Sequence, residues 1–222
     1  MSRRYHLVVF DWEGTLGDTL GQILNTVAAE AKRLQFGVFD ENQARQHVVL
    51  GLVMAVKKIF PSLTLDQHEQ LLQAVHHSLV THPLDVCLIP GAKQMIEQLY
   101  QAGIHLAIAT NKGEQSLIRC LQACGLRDFF DVTRSAGQVP AKPCPQMLQE
   151  IMDSCGVKAT QTLMVGDSVI DVDMANQLGV DAVGVDFDHQ QAANLLAAGA
   201  LHVFNDYQQL ADYLGLTFND EK

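Results

Sequence analysis

Basic charge is scarce in this chain. Its 222 residues include 15 Lys and Arg against 25 Asp and Glu, a formal net charge of −10. A nucleic-acid-binding domain carries a basic face, and no stripe or cluster of Lys and Arg supplies one here. The same balance speaks against an anionic membrane surface. It leaves small phosphorylated ligands open, since a local site can bind an anion on an acidic protein. Long hydrophobic runs are also missing. The Leu7-Val8-Val9-Phe10 run stops at Asp11, too short for the core of a signal peptide, and no stretch approaches the roughly 20 apolar residues of a membrane span. The cysteines (Cys87, Cys120, Cys124, Cys144 and Cys155) are odd in number and form no C-x-x-C pair, which disfavours zinc and a disulfide framework. Free, largely buried thiols in a reducing compartment are expected, and the cytoplasm is the expected location. There is no internal repeat and no low-complexity tract. What the chain does have is 48% apolar residues against 18% charged, enough to bury a core as one domain or one domain with an insert.

Leu7 to Phe10 is short, continuously apolar and partly β-branched, the pattern of a strand buried on both faces of a parallel sheet. His105–Thr110, Thr162–Gly166 and Asp181–Val185 repeat it. Amphipathic helical stretches accompany them: Ala92–Gln101 after the Pro90-Gly91 turn, Glu114–Cys124 before Gly125, Pro145–Ser154 before Gly156, and Val169–Leu178 before Gly179. Strand alternating with helix predicts an α/β domain with a parallel sheet. Between Leu16 and Cys87 the rhythm breaks. Ile23-Val27-Ala28-Ala31-Leu34, Val48 to Phe60, and Leu71-Leu72-Val75-Leu79 read as helix faces, and no strand pattern occurs. A helical subdomain inserted after the first strand is expected, with Gly14, Gly17 and Gly21 at one edge and Pro83 and Pro90 at the other. The tail from Thr217 to Lys222 is expected to fray.

Four segments with chemical potential fall at or after the expected strands. In an open parallel sheet, the ligand crevice lies outside the carboxyl ends of the strands. Asp11-Trp12-Glu13-Gly14-Thr15-Leu16 offers two carboxylates two residues apart, one to attack and one to move protons. A turn aspartate is the plainer reading of that segment alone. Thr110-Asn111-Lys112-Gly113 offers a hydroxyl and backbone N–H groups to phosphate oxygens. Capping the helix at Glu114 is the plainer reading, and both can hold. In Lys142-Pro143-Cys144-Pro145 a lysine held by prolines can neutralise a phosphoryl oxygen, against a solvated loop lysine. Gly166-Asp167-Ser168-Val169-Ile170-Asp171 offers carboxylates to a hard cation such as Mg²⁺, against an N-cap for the next helix.

In that order, DWEGTL, TN, KPCP and GDSVID resemble the four motifs of the haloacid dehalogenase superfamily. The helical insert resembles that family's small helical cap. Pro90-Gly91-Ala92 and Ala198-Gly199-Ala200 resemble its phosphoglycolate phosphatase branch. The resemblance covers nearly the whole chain. It implies a Rossmann-like doubly wound parallel sheet formed by residues 1–16 and 89–222, with residues 17–88 as a cap that closes over the site. It implies a Mg²⁺-dependent phosphatase acting on a small phosphorylated metabolite. Asp11 would attack phosphorus and form an aspartyl-phosphate. Glu13 would protonate the leaving alcohol and then activate water. Asp11, Asp167 and the Glu13 backbone carbonyl would hold Mg²⁺. Thr110, Asn111 and Lys142 would bind the phosphoryl group, and Asp171 would support the metal site or orient Lys142. Arg45 and His47, ahead of Gly51 in the insert, could read the substrate, with a solvated helix face equally open.

Glu13 departs from the pattern, since most phosphatases of this superfamily have Asp there. The enolase-phosphatase branch shares Asp-x-Glu-Gly-Thr. The extra methylene adds roughly 1.3–1.5 Å of reach, and a misplacement of that size can cost about 100-fold in rate if nothing compensates. Two other readings stay open. One is a phosphomutase like the β-phosphoglucomutase relatives, for which Arg45 would mark a second phosphate subsite. The other is a weakly catalytic binding or regulatory relative, supported by Glu13 alone and opposed by the retention of Asp11, Lys142 and Asp167. Dehalogenases lack the acid at position 13. Phosphonate hydrolases use a lysine in the first cap helix, and none precedes Lys32 here. His76, His77 and His82 are expected to be exposed polar residues rather than metal ligands. Cys120 and Cys124 should be core, and Trp12 should pack beside the cap linker. The oligomeric state stays open between a monomer and a dimer, with a monomer favoured because a cap can cover the site unaided.

Overall fold

The computed structural model describes residues 5–39, 44, 52–81 and 88–216. Along the chain run β1 (Leu7–Phe10), α1 (Thr19–Arg33), α2 (Leu52–Ile59), α3 (Leu65–Thr81), α4 (Ala92–Gln101), β2 (His105–Gly113), α5 (Glu114–Ala123), β3 (Val132–Ala136), α6 (Gln146–Cys155), β4 (Thr162–Gly166), α7 (Val169–Asn176), β5 (Asp181–Val185), α8 (Ala192–Ala198), β6 (Val203–Phe204) and α9 (Tyr207–Leu214). The chain divides into two compact units, Met1–Gly17 with Leu88–Lys222, and Asp18–Cys87.

In the first unit six parallel strands lie in the order β3-β2-β1-β4-β5-β6, the doubly wound arrangement. β1 is central, and all four of its residues are buried. It pairs with β2 on one side and β4 on the other, so that Phe10 sits between Ile108 and Val165. The chain moves out one way from β1 to β2 and β3, then returns to β4 on the opposite flank. That reversal is the switch point of the sheet, where the connecting loops part and leave a crevice at the carboxyl ends. Side chains alternate across each strand. Leu7 and Val9, with Ala107 and Ala109, pack on Met147, Leu148 and Ile151 of α6 in one core layer that also holds Met164 and Val172.

The outer strands are the ones the apolar pattern leaves out. β3 reads Val-Thr-Arg-Ser-Ala and is mostly half-buried, and β6 has two residues. An edge strand needs less apolar surface, so it loses the continuous hydrophobic run. β2 runs three residues beyond Thr110 because its end is irregular, as described below. The short helix α8 carries little pattern, whereas α9 has Tyr207, Leu210 and Ala211 on one buried face between an Asp206 cap and Gly215.

Among its described residues the second unit holds helices joined by turns and irregular segments, with no strand. Val27 and Ala31 of α1 pack with Val56, Phe60, Leu71 and Val75. Ala28, expected on the same face, is exposed, and Leu24 is buried instead. Positions 24, 27 and 31 follow the spacing of one helical face more closely than 28 does. Asp18 caps α1, accepting from the Gly21 N–H at 2.7 Å. His76 and His77 are exposed on α3. Arg45, His47, Gly51, His82, Pro83 and Cys87 lie outside the described residues, as does the tail from Thr217. No helix of the described residues is long and apolar enough to cross a membrane.

Candidate functional site

Asp11 follows β1 directly, and its N–H continues the ladder to the Val165 carbonyl at 2.9 Å. The chain then closes a tight loop in which Leu16 and Gly17 donate to the Trp12 carbonyl and Gly14 donates to that of Gly17. Trp12 is buried, and a Cβ on Gly17 would lie 2.5 Å from its Nε1. Gly14 has φ +70, and a Cβ there would meet Asp167 Oδ2 at 2.2 Å. Only glycine allows both the left-handed turn and the approach of Asp167. From α9, the buried Tyr207 hydroxyl donates to the Thr15 carbonyl at 2.7 Å and ties the loop down.

The end of β2 is bulged. Thr110 pairs with Ser135 and Gly113 with Ala136, so Asn111 and Lys112 have no opposite number on β3. Such bulges bend a strand and re-aim its side chains. The Asn111 carboxamide turns onto the Lys142 backbone, accepting from its N–H at 2.8 Å and donating to its carbonyl at 3.3 Å. Thr110 is buried, and its Oγ1 accepts from the Lys112 N–H at 3.2 Å. The helix-cap reading of Thr110 and Asn111 does not hold. The residue ahead of α5 is Gly113, with no side-chain cap, because the strand continues through the bulge.

After β4, Ser168 and Asp171 form a reciprocal cap on α7, with the Ser168 N–H and Oγ both donating to Asp171 Oδ2. This cap leaves Asp171 Oδ1 free to accept from Lys142 Nζ at 2.6 Å. A Cβ on Gly166 would lie 2.4 Å from Asp171 Cγ, so glycine makes that position possible.

Lys142 is joined to Pro143 by a cis peptide. Its Nζ lies between Asp171 and Asp11, 2.7 Å from Asp11 Oδ1, without the alignment of a hydrogen bond to the latter. Burial alone would pull the Lys142 ammonium down, but Asp171 and Asp11 outweigh it and hold it above its ordinary value. The carboxylates are not equally satisfied. Burial, helped by the charge of Asp171, pushes Asp11 up to about 6 against the pull of Lys142. Burial, with Asp11 and Asp171 adding to it, pushes Asp167 up to about 7. Three acids therefore face one lysine in a buried place, and the excess negative charge favours protons or a cation.

Asp11, Asp167 and Asp171 each offer an oxygen within 4.8 Å of the others, the one such group of potential ligands among the described residues. An all-oxygen set with an unaligned buried carboxylate oxygen on Asp11 fits a hard divalent cation. The Glu13 side chain stands outside this group and pairs with Lys112. Asp11, Glu13, Thr110, Asn111, Lys112, Lys142, Asp167, Ser168 and Ile170 line a cleft of about 400 Å³.

The segment from residue 8 to residue 185 matches the model of the haloacid dehalogenase-like hydrolase family. The chain belongs to that family. It is 32% identical over 218 residues to a phosphoglycolate phosphatase of Rhodospirillum rubrum, covering 94% of this chain and 90% of that one. It is 31% identical over 189 residues to a phosphoglycolate phosphatase of Mesorhizobium japonicum, with 82% and 83% covered. Among solved structures, a haloacid dehalogenase family hydrolase of Deinococcus radiodurans, crystallised with phosphate and sodium, superposes with a TM-score of 0.74. Its identity is 19%, with 96% of each chain covered, so it speaks for the shared fold.

The haloacid dehalogenase fold thus brings Asp11, Glu13, Thr110, Asn111, Lys142 and Asp167 to one cleft, with Asp171 behind Lys142. Arg45 lies outside the described residues. No sequence signal singles out Lys112, because its place at the cleft depends on the bulge that takes it out of the regular strand alternation. Tyr207 could have been found as the first buried position of the amphipathic α9 face that continues through Leu210 and Ala211.

Proposed function

We propose that this hydrolase is a phosphatase that cleaves a small phosphomonoester through an aspartyl-phosphate on Asp11, with Mg²⁺ as cofactor. The observation that carries the reading is Lys142 set between Asp11 and Asp171 beside Asp167, at the switch point of the sheet. A phosphoryl group brings dense negative charge, and a buried lysine with a cation beside the attacking oxygen is what its transfer needs. Asp11, Asp167 and the Glu13 backbone carbonyl would hold Mg²⁺, which when bound supplies charge neutralisation at the phosphoryl oxygens.

In this reading Asp11 attacks phosphorus and the ester oxygen leaves as an alcohol, taking a proton from the Glu13 carboxyl. Glu13 then takes a proton from water as that water attacks the phosphorus of the aspartyl-phosphate, releasing phosphate and restoring Asp11. Lys142 binds the phosphoryl oxygens. Thr110 contributes its hydroxyl, and Asn111 acts chiefly by holding the Lys142 backbone. Asp171 orients Lys142. The names of the two relatives make 2-phosphoglycolate the first substrate to try.

The test is phosphate release from a panel of phosphomonoesters, including 2-phosphoglycolate and p-nitrophenyl phosphate, with Mg²⁺ and with EDTA. Metal-dependent release is expected. No release from folded, metal-loaded protein would overturn the reading.

A further inference from the structure

Lys112 belongs to none of the roles assigned above, yet it lines the cleft and its Nζ donates to Glu13 Oε1. Two independent features place it there. The bulge at the end of β2 removes Asn111 and Lys112 from the ladder, and the Lys112 N–H is pinned to Thr110 Oγ1 at 3.2 Å. The lysine side chain is only 15% exposed, whereas the Glu13 side chain is 39% exposed. A solvated surface pair would leave the lysine free to wander; here the bent strand carries it to the carboxylate.

We propose that Lys112 is a positioning residue for Glu13, holding the Glu13 carboxylate at the mouth of the cleft for the leaving-group oxygen. The inference rests on the phosphatase reading. It also accounts for glutamate at position 13. An aspartate carboxylate would stop roughly 1.3–1.5 Å short by bond geometry, which would stretch the 2.5 Å contact with Lys112 past hydrogen-bond length and leave a looser pair. Glu13 and Lys112 are then a matched pair. The longer acid, which on its own would be loosely placed, is located by the lysine and not by its own backbone.

A double-mutant cycle tests this, using E13D, K112M, K112R and E13D/K112M on p-nitrophenyl phosphate and on an alkyl phosphate. The alkyl phosphate depends on protonation of its leaving oxygen, and p-nitrophenyl phosphate depends on it far less. K112M should lower kcat on the alkyl phosphate by about 10-fold or more, with a smaller loss on p-nitrophenyl phosphate and KM within about threefold. K112R should recover most of that loss. In the E13D background K112M should cost less than about twofold further, because the two residues act as a unit. The proposal is overturned if K112M costs the same factor in both backgrounds, or if it raises KM at unchanged kcat, which would make Lys112 a substrate anchor. Crystal structures of wild type and K112M read the positioning without turnover. The Glu13 carboxylate should lose its fixed place in K112M, and an unmoved carboxylate would defeat the proposal. Wild-type protein that releases no phosphate would defeat the phosphatase reading instead, with the structural comparison still deciding the role of Lys112.

Discussion

Lys142 Nζ lies 2.6 Å from Asp171 Oδ1, and both side chains are 1% exposed. The pair is built from three directions. Ser168 holds the other oxygen of Asp171, Asn111 holds the Lys142 backbone, and the bare Cα of Gly166 makes the room. A buried charge pair stabilises little by itself, but breaking one side of it is costly. In the proposed mechanism its use is to aim the lysine at Asp11.

Asp171→Asn tests that relationship. Lys142 keeps Asp11, so the loss in unfolding free energy should stay at or below about 3 kcal/mol, the low end for a broken buried pair. Turnover should fall by about 10- to 100-fold, as for other residues that orient a site from behind. Urea unfolding and kcat measured on the same protein check both figures. Unchanged turnover would show that Lys142 needs no orienting partner.

Asp11→Asn should abolish phosphate release while leaving the fold intact. Burial already makes the ionised Asp11 costly, so a neutral amide should not lower the stability of metal-free protein at neutral pH. Thermal unfolding beside a phosphate-release assay reads both effects. Full activity would remove Asp11 as the nucleophile.

The raised carboxyls of Asp11 and Asp167 give a direction to pH dependence. Their folded values of about 6 and about 7 lie above an unfolded aspartate near 3.9. Between roughly pH 4 and 7 the folded, metal-free protein therefore binds more protons at these sites than the unfolded chain does. Their contribution to stability must fall as pH rises through that window. Asp167→Asn should flatten the fall, seen in urea unfolding of EDTA-treated protein at pH 5 and pH 8. Parallel curves for the two proteins would contradict it. Since a cation competes with those protons, Mg²⁺ affinity should rise over the same range, which calorimetry can follow.

Glu13→Asp should change turnover by no more than roughly tens of fold, since a carboxylate remains to move protons. Complete loss would show a cleft built around the longer acid.

Gly166→Ala should displace Asp171, because its Cβ would fall 2.4 Å from Asp171 Cγ in a buried place. Overpacking of that kind costs about 1–3 kcal/mol. Turnover should fall as in Asp171→Asn, and the two substitutions together should not multiply.

The central strands were legible in the sequence because burial on both faces demands continuous apolar runs, as in Leu7–Phe10 and Thr162–Gly166. The alternation of those runs with helices was enough for an α/β domain with a parallel sheet, and the doubly wound arrangement followed from the resemblance of the four motifs to the family. Edge strands such as Val132–Ala136 were not legible, since half-buried strands carry polar residues that break the pattern. The candidate chemistry of Asp11, Lys142 and Asp167 could be read from residue type and order. Which atom meets which could not. That Asn111 holds the Lys142 backbone, that Ser168 and Gly166 shape the place of Asp171, and that Lys112 meets Glu13 across 99 positions of sequence depend on a bulge and on the parting of loops at the switch point. Those are properties of strand register and chain crossing. A local pattern of residues carries the preference for strand or helix, but only the packed sheet decides which strand ends become neighbours.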